Sequence, residues 1–259
     1  MKHRLFFLSF LLFIFSCSSD TDETPENSNT EAFVEKGIKY GTETRQFLDL
    51  YKAESQCPTP IYFDAHPNGG DTNLPSSIVE DLNNAGISVI AWESLTSVNT
   101  PNEVEMGWRD ADLMFQWVID NADEYNLDIE NMIIGGSSRG SILSWKYGHR
   151  FNPGIKGLYM YNALPGNVWA FPMWWYPPDD VTELSPPVFF VYRREPGSSM
   201  DADDPDIHDP NNGYIIVDTY NELGIRDKAS LIHSIGETSN SDRYQFLLDF
   251  ALGLIDSCE

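Results

Sequence analysis

The apolar run Met132-Ile133-Ile134 passes directly into Gly135-Gly136-Ser137-Ser138-Arg139-Gly140-Ser141, and helical apolar spacing resumes at Ile142. A strand that becomes a helix within so few residues brings two backbones close together, and glycine at 136 and 140 leaves room for that approach. The same turn lifts the Ser138 side chain above the strand end, at a helix N-terminus whose free N–H groups and dipole favour negative charge. Such a junction belongs in a chain where strands alternate with helices, because parallel strands need a crossover between them. The rest of the sequence keeps that alternation. Strands are expected over 45–53, 60–65, 87–92 and 187–192, and a helix is expected to end at Gly86. A long helix over 102–125 would carry Met106, Ala111, Met114, Phe115 and Val118 on one side. The expected fold class is therefore α/β, a mostly parallel sheet with helices on both faces, and no fixed-period repeat points to a solenoid.

Ahead of this domain, Met1-Lys2-His3-Arg4 supplies a basic start and Leu5 to Phe15 an apolar run. At about eleven residues the run is too short to span a bilayer as a helix, so it reads as the core of a secretory signal peptide. Ile14-Phe15-Ser16-Cys17 resembles a bacterial lipobox, which implies cleavage before Cys17 and a lipid on that residue. The polar, acidic stretch that follows has nothing to bury and is expected to be a disordered tether. The expected organisation is thus a signal peptide over 1–16, a tether over 17–31 and one globular domain over 32–259. Acidic residues just past the lipidated Cys also resemble surface-export signals of Bacteroidetes lipoproteins. The expected location is the bacterial cell envelope, anchored to the outer membrane through the lipid, on either side of it.

The sequence holds 40 acidic and 16 basic residues, a net charge of −24. That balance argues against a nucleic-acid partner and makes neutral or cationic substrates easier to accept than anionic ones. Three cysteines are present. With Cys17 lipidated, Cys57 and Cys258 remain as an even pair in an oxidising compartment, and a disulfide between them is expected. No metal-ligand spacing of Cys and His appears, and neither a metal nor a cofactor is expected.

The segment Gly136-Ser137-Ser138-Arg139-Gly140 is a Gly-x-Ser-x-Gly motif in the context its chemistry needs, with Ser138 as candidate nucleophile. Upstream, Tyr62-Phe63-Asp64-Ala65-His66-Pro67-Asn68-Gly69-Gly70 ends a strand with a histidine and paired glycines, and resembles the His-Gly-Gly-Gly oxyanion loop of lipases and esterases. Together with Leu48-Asp49-Leu50-Tyr51 and Asp128-Ile129-Glu130-Asn131, these residues make the chain similar to the esterase and lipase branch of the α/β-hydrolases, near feruloyl- and carboxylesterase-like domains. The resemblance implies hydrolysis of a carboxylic ester through an acyl-serine, without a cofactor. It implies oxyanion or substrate contacts from His66, Gly69, Gly70 and Arg139. Ser138-Arg139-Gly140 also resembles some peptidase-like relatives, so peptide-type substrates stay open.

Asp204-Pro205-Asp206-Ile207 resembles the family's acid segment, which makes Asp204 the expected acid, with Glu195 as the alternative. The family's histidine falls by residue count near Glu237, where this chain has none. His233 keeps the order Ser, Asp, His and is the expected base; His208, on the acid loop, is the alternative, and His149 is expected to be remote. Between 162 and 186 the chain is rich in aromatics and prolines, and Trp169, Trp174 and Trp175 are candidate substrate contacts for a sugar ring or aromatic acyl group, or else pack on themselves. The expected partner is a small-molecule or carbohydrate ester. A non-catalytic binding protein that keeps the fold but not the triad is the competing reading.

Overall fold

The computed structural model describes residues 30–150, 154–164, 178–197, 208–235 and 240–256. The signal segment, Cys17, most of the tether, Trp169, Trp174, Trp175, Asp204 and Cys258 lie outside them. The described residues build an 8-stranded sheet from β1 (Phe33–Lys39), β2 (Phe47–Lys52), β3 (Thr59–Ala65), β4 (Ser88–Trp92), β5 (Leu127–Ser137), β6 (Ile155–Tyr161), β7 (Val188–Val191) and β8 (Ala229–Ile232). The strand order is β1-β2-β4-β3-β5-β6-β7-β8. β2 pairs antiparallel with β1 and β4, and every remaining neighbour is parallel. The expected mostly parallel architecture is what forms.

Helices α1 (Ser76–Asn84), α2 (Pro101–Tyr125), α3 (Arg139–Arg150), α4 (Pro210–Glu222) and α5 (Asn240–Leu252) cover both faces. On one face, Val104, Met114 and Phe115 of α2, Leu143 and Trp145 of α3, and Ile216 and Tyr220 of α4 pack with Phe63, Ile90 and Ile134. On the other, Ile78 and Leu82 of α1 and Leu247 and Ala251 of α5 pack with Tyr62, Val89 and Ile133. This sandwiching explains why β4 reads Ser-Val-Ile-Ala-Trp with every residue buried: a strand covered on both faces has no solvent side to make polar.

α2 begins where its capping chemistry says it should. The Thr100 hydroxyl accepts the Glu103 N–H, the Glu103 carboxylate accepts the Asn99 N–H at 2.7 Å, and Pro101 opens the first turn. Asn126 closes it in the left-handed region at φ 51°. β1, β6 and β8 are not among the strands expected from the sequence; in β1 the residues are mostly exposed, and the register with β2 breaks between Glu35 and Ile38. Cys57, just ahead of β3, is disulfide-bonded; Cys258, expected as its partner, lies outside the described residues.

The parallel register sets the strand ends in one row. Ala65 pairs with Gly136, Ser137 with Tyr161, Tyr161 with Val191, and Val191 with Ile232. The segments that begin at His66, Ser138, Asn162, Tyr192 and His233 therefore all leave the sheet along the same carboxyl edge, where ligands of open α/β sheets bind.

Candidate active site

Ser138 sits between the end of β5 and the start of α3 with φ 50°, left-handed for a residue that has a Cβ. Its own backbone bonds hold it there. The Ser138 N–H donates to the Tyr161 carbonyl at 3.0 Å, and its carbonyl accepts the Ser141 N–H at 3.0 Å and the Ser141 hydroxyl at 2.5 Å. A Cβ on Gly136 would collide with the backbone of Gly140 and Ser141, and one on Gly140 with the Ala65 carbonyl. Both motif glycines are thus demanded by the close approach of α3 to β5 and β3. Ser137, Arg139 and Gly140 are buried, while Ser138 is partly exposed. The fold presents this one hydroxyl at the sheet edge.

The histidine that meets it is His208. Its Nε2 lies 3.0 Å from Ser138 Oγ, and its ring is partly exposed. Asp209 fixes the neighbouring backbone: its carboxylate caps α4 through the Asn211 N–H at 2.8 Å and accepts the Gly197 N–H at 3.1 and 3.2 Å. One side chain thereby joins the start of the loop after β7 to its end.

His233, expected as the base, goes elsewhere. Its Nδ1 lies 2.6 Å from Ser234 Oγ and 3.5 Å from Glu195 Oε2, and its ring meets Tyr214 edge-on. The reason is strand order: His233 stands one residue past β8, and β8 is three neighbours from β5, roughly 14 Å at about 4.8 Å per strand. Glu195, the alternative acid, faces His233 with its side chain 68% exposed. His149 is remote as expected, packed on Trp145 with Nδ1 3.0 Å from Ser185 Oγ.

The loop after β3 also departs from expectation. Gly69 and Gly70 were expected to offer N–H groups to an oxyanion, but Gly69 donates to the Thr96 carbonyl at 2.9 Å and Gly70 to the Pro67 carbonyl at 3.0 Å. Pro67 has no N–H. Asn68 exchanges bonds with the Val98 backbone, donating at 3.2 Å and accepting at 3.0 Å. These contacts shape the loop and leave its glycines no free donor. His66 and Arg139 are not substrate contacts either, since they are 4% and 1% exposed. Arg139 turns inward, donating from Nε and from one terminal nitrogen to the His66 carbonyl, both at 3.1 Å, and from the other terminal nitrogen to the Leu95 carbonyl. Burial pushes this guanidinium down to about 10, against the opposing charges of Glu93 and Tyr40. Its backbone N–H, first in α3, remains the natural donor to negative charge at Ser138.

Glu93 is the residue sequence reading passed over. It lies 7% exposed directly after β4, where a glutamate ending the apolar run Val89–Trp92 was the available signal.

No protein-family model matches the chain, and no curated protein sequence does. Solved structures do resemble it. A truncated carbohydrate esterase from gut microbiota superposes with TM-score 0.62 at 14% identity, over 87% of this chain and 97% of that one. Thermogutta terrifontis esterase 2, phosphorylated by paraoxon, gives 0.62 at 15% identity, over 90% and 98%. Esterase B of Lactobacillus rhamnosis, inhibited by a tributyrin phosphonate, gives 0.60 at 12% identity, over 85% of each. These likenesses establish the α/β-hydrolase fold.

Proposed function

We propose that the chain is a serine esterase of the cell envelope in which Ser138 is the nucleophile and His208 the base. The single observation that carries this reading is the 3.0 Å approach of His208 Nε2 to Ser138 Oγ, on an elbow whose backbone sits at φ 50°. The expected acid, Asp204, keeps its place in the proposal from the sequence. His208 takes the Ser138 proton as Oγ bonds to the carbonyl carbon of the ester, and the oxyanion forms against the N-terminus of α3. Collapse of that intermediate breaks the bond to the alkoxy oxygen, and His208 returns the proton to it, releasing the alcohol and leaving an acyl-serine. Water, deprotonated by His208, then releases the acid and restores the hydroxyl.

Esters of carbohydrates are the favoured substrates. The support is the carbohydrate esterase among the similar structures, the aromatic segment that contains Trp169, Trp174 and Trp175, and a net charge of −24 that disfavours anionic polymers. Ser138→Ala is expected to abolish both ester hydrolysis and labelling by a fluorophosphonate probe while the far-UV circular dichroism stays unchanged. Undiminished hydrolysis by that variant would end the serine mechanism.

The lipobox-like Ile14-Phe15-Ser16-Cys17 supports export and anchoring through a lipid on Cys17. Cys17→Ser is expected to move the protein from the membrane pellet to the soluble fraction and to remove incorporation of labelled fatty acid. Continued incorporation would place the anchor elsewhere.

A further inference from the structure

Beside the reactive pair lies a buried cluster that the reaction above does not use. His66 at the end of β3, Glu93 at the end of β4 and Arg139 at the start of α3 are 4%, 7% and 1% exposed. His66 Nδ1 is 2.8 Å from the Pro67 carbonyl, and Nε2 is 2.9 Å from Glu93 Oε1. A carbonyl oxygen can only accept, and so can a carboxylate. A neutral imidazole carries one proton, so it would leave one of those contacts with two lone pairs facing each other. A terminal nitrogen of Arg139 lies 3.1 Å from Nδ1 and 2.9 Å from Nε2. A single atom nearly equidistant from both ring nitrogens cannot lie along the in-plane lone-pair direction of either, so it is a poor donor to both. Glu93 is the weaker candidate to hold the extra proton, because Oε1 already accepts the Ser94 N–H at 2.8 Å and shares the site with the Arg139 guanidinium. The other titratable groups facing the cluster are Tyr40, whose hydroxyl donates to the Glu93 carbonyl, and Asp71, whose charge acts on His66 from the same loop.

We propose that His66 is a buried imidazolium donating from both ring nitrogens, and that with Glu93 and Arg139 it forms a positioning unit that holds the Arg139 N–H where the oxyanion forms. Arg139 binds the carbonyls of His66 and Leu95. It thereby ties the loops after β3 and β4 to the residue that follows the nucleophile. His66 and Glu93 close the same ring of contacts from the strand side. None of the three touches substrate; they act through the geometry of the elbow. The positioning half rests on the esterase reading, and the ionisation half does not.

Two measurements on the full chain decide it. The first is the 15N spectrum of the histidine rings at pH 7.5, assigned by loss of signals in His3→Gln, His149→Gln, His208→Gln and His233→Gln. The remaining ring, His66, is expected to show both nitrogens protonated; one bare nitrogen overturns the imidazolium. The second is kinetics with a short-chain ester. Glu93→Gln and Arg139→Met are expected to lower kcat by about tenfold or more with KM changed less than about twofold, and Arg139→Lys to recover part of the loss. Wild-type kcat in both Glu93→Gln and Arg139→Met overturns the positioning role. Failure of the wild-type chain to hydrolyse any ester or to react with a fluorophosphonate would count against the esterase reading, and the ring spectrum would still decide the charge on His66.

Discussion

Ser138 illustrates how a residue can be held in a conformation it would not choose alone. A side-chain-bearing residue at φ 50° is disfavoured by about 1–2 kcal/mol, and the bonds from Tyr161 and Ser141 offset that. Everything needed to foresee this position is local in sequence: the strand, the two glycines and the resumed helical spacing. The proposed base was less legible, because its placement depends on distance across the sheet. His233 satisfies the chain order that the resemblance implied, yet it leaves the sheet three strands from Ser138, and among the described residues it is His208, after the return from β7, that meets Ser138. Asp209 at the cap of α4 was a visible clue, since it fixes where that return ends. We expect His208→Ala to lower kcat/KM for a short-chain ester by about three orders of magnitude or more, as loss of a nucleophile's base does. His233→Ala, which removes a partly exposed pairing with Glu195, is expected to change it by less than about tenfold. Initial rates of the two purified variants provide the comparison. The opposite ranking would return the base to the end of β8.

At the scale of elements, the elbow is a junction at which β3, β5 and α3 approach closely. The start of α3 lies against the end of β3 so closely that a methyl group on Gly140 would meet the Ala65 carbonyl. That carbonyl is strand backbone and cannot rotate away. Gly140→Ala is therefore expected to destabilise the fold by about 1–3 kcal/mol or more through overpacking, read as a lower midpoint in urea unfolding followed by circular dichroism. It should also slow fluorophosphonate labelling, because the displaced helix start carries the Arg139 N–H with it. An unchanged midpoint would mean that β3 and α3 are not in that contact. β2 to β5, β7 and α2 were readable because continuous apolar runs and a capped helix leave few alternatives. β1 was not, because an edge strand that is mostly exposed and interrupted by a register break shows no alternation to read. The polar cluster of His66, Glu93 and Arg139 was illegible in a different way. Charged residues at strand ends ordinarily face water, and only the packing of three separate segments puts these three together.

For the molecule as a whole, α3 runs from the carboxyl edge of the sheet toward the opposite end, and its last turn leaves His149 partly buried with its ring on Trp145. Burial pushes the His149 imidazole down to about 4. The structure gives the reason: Nδ1 meets Ser185 Oγ at 3.0 Å, while Nε2 is buried with no hydrogen-bond partner among the described residues, so a second ring proton would find no acceptor there. In the unfolded chain the same ring takes its proton near pH 6.5. Between those values the unfolded state binds more protons than the folded one, so stability is fully present above about pH 6.5 and falls as the pH drops toward 4. The depression corresponds to about 3 kcal/mol at most, taking 1.36 kcal/mol per pH unit. Carboxylates titrate in the lower part of this window and relieve the repulsion within a chain of net charge −24, so the raw pH profile mixes opposing effects. Comparison with His149→Gln isolates the ring, because Gln keeps a polar contact to Ser185 and does not titrate. Urea unfolding of both proteins at intervals from pH 7.5 to 4.5 should show the wild type losing stability relative to the variant as the pH falls, with most of the divergence below about pH 6. Curves that stay parallel over that range would show that His149 is protonated in the folded protein, and that the end of α3 admits a charge which the burial of Nε2 argues against.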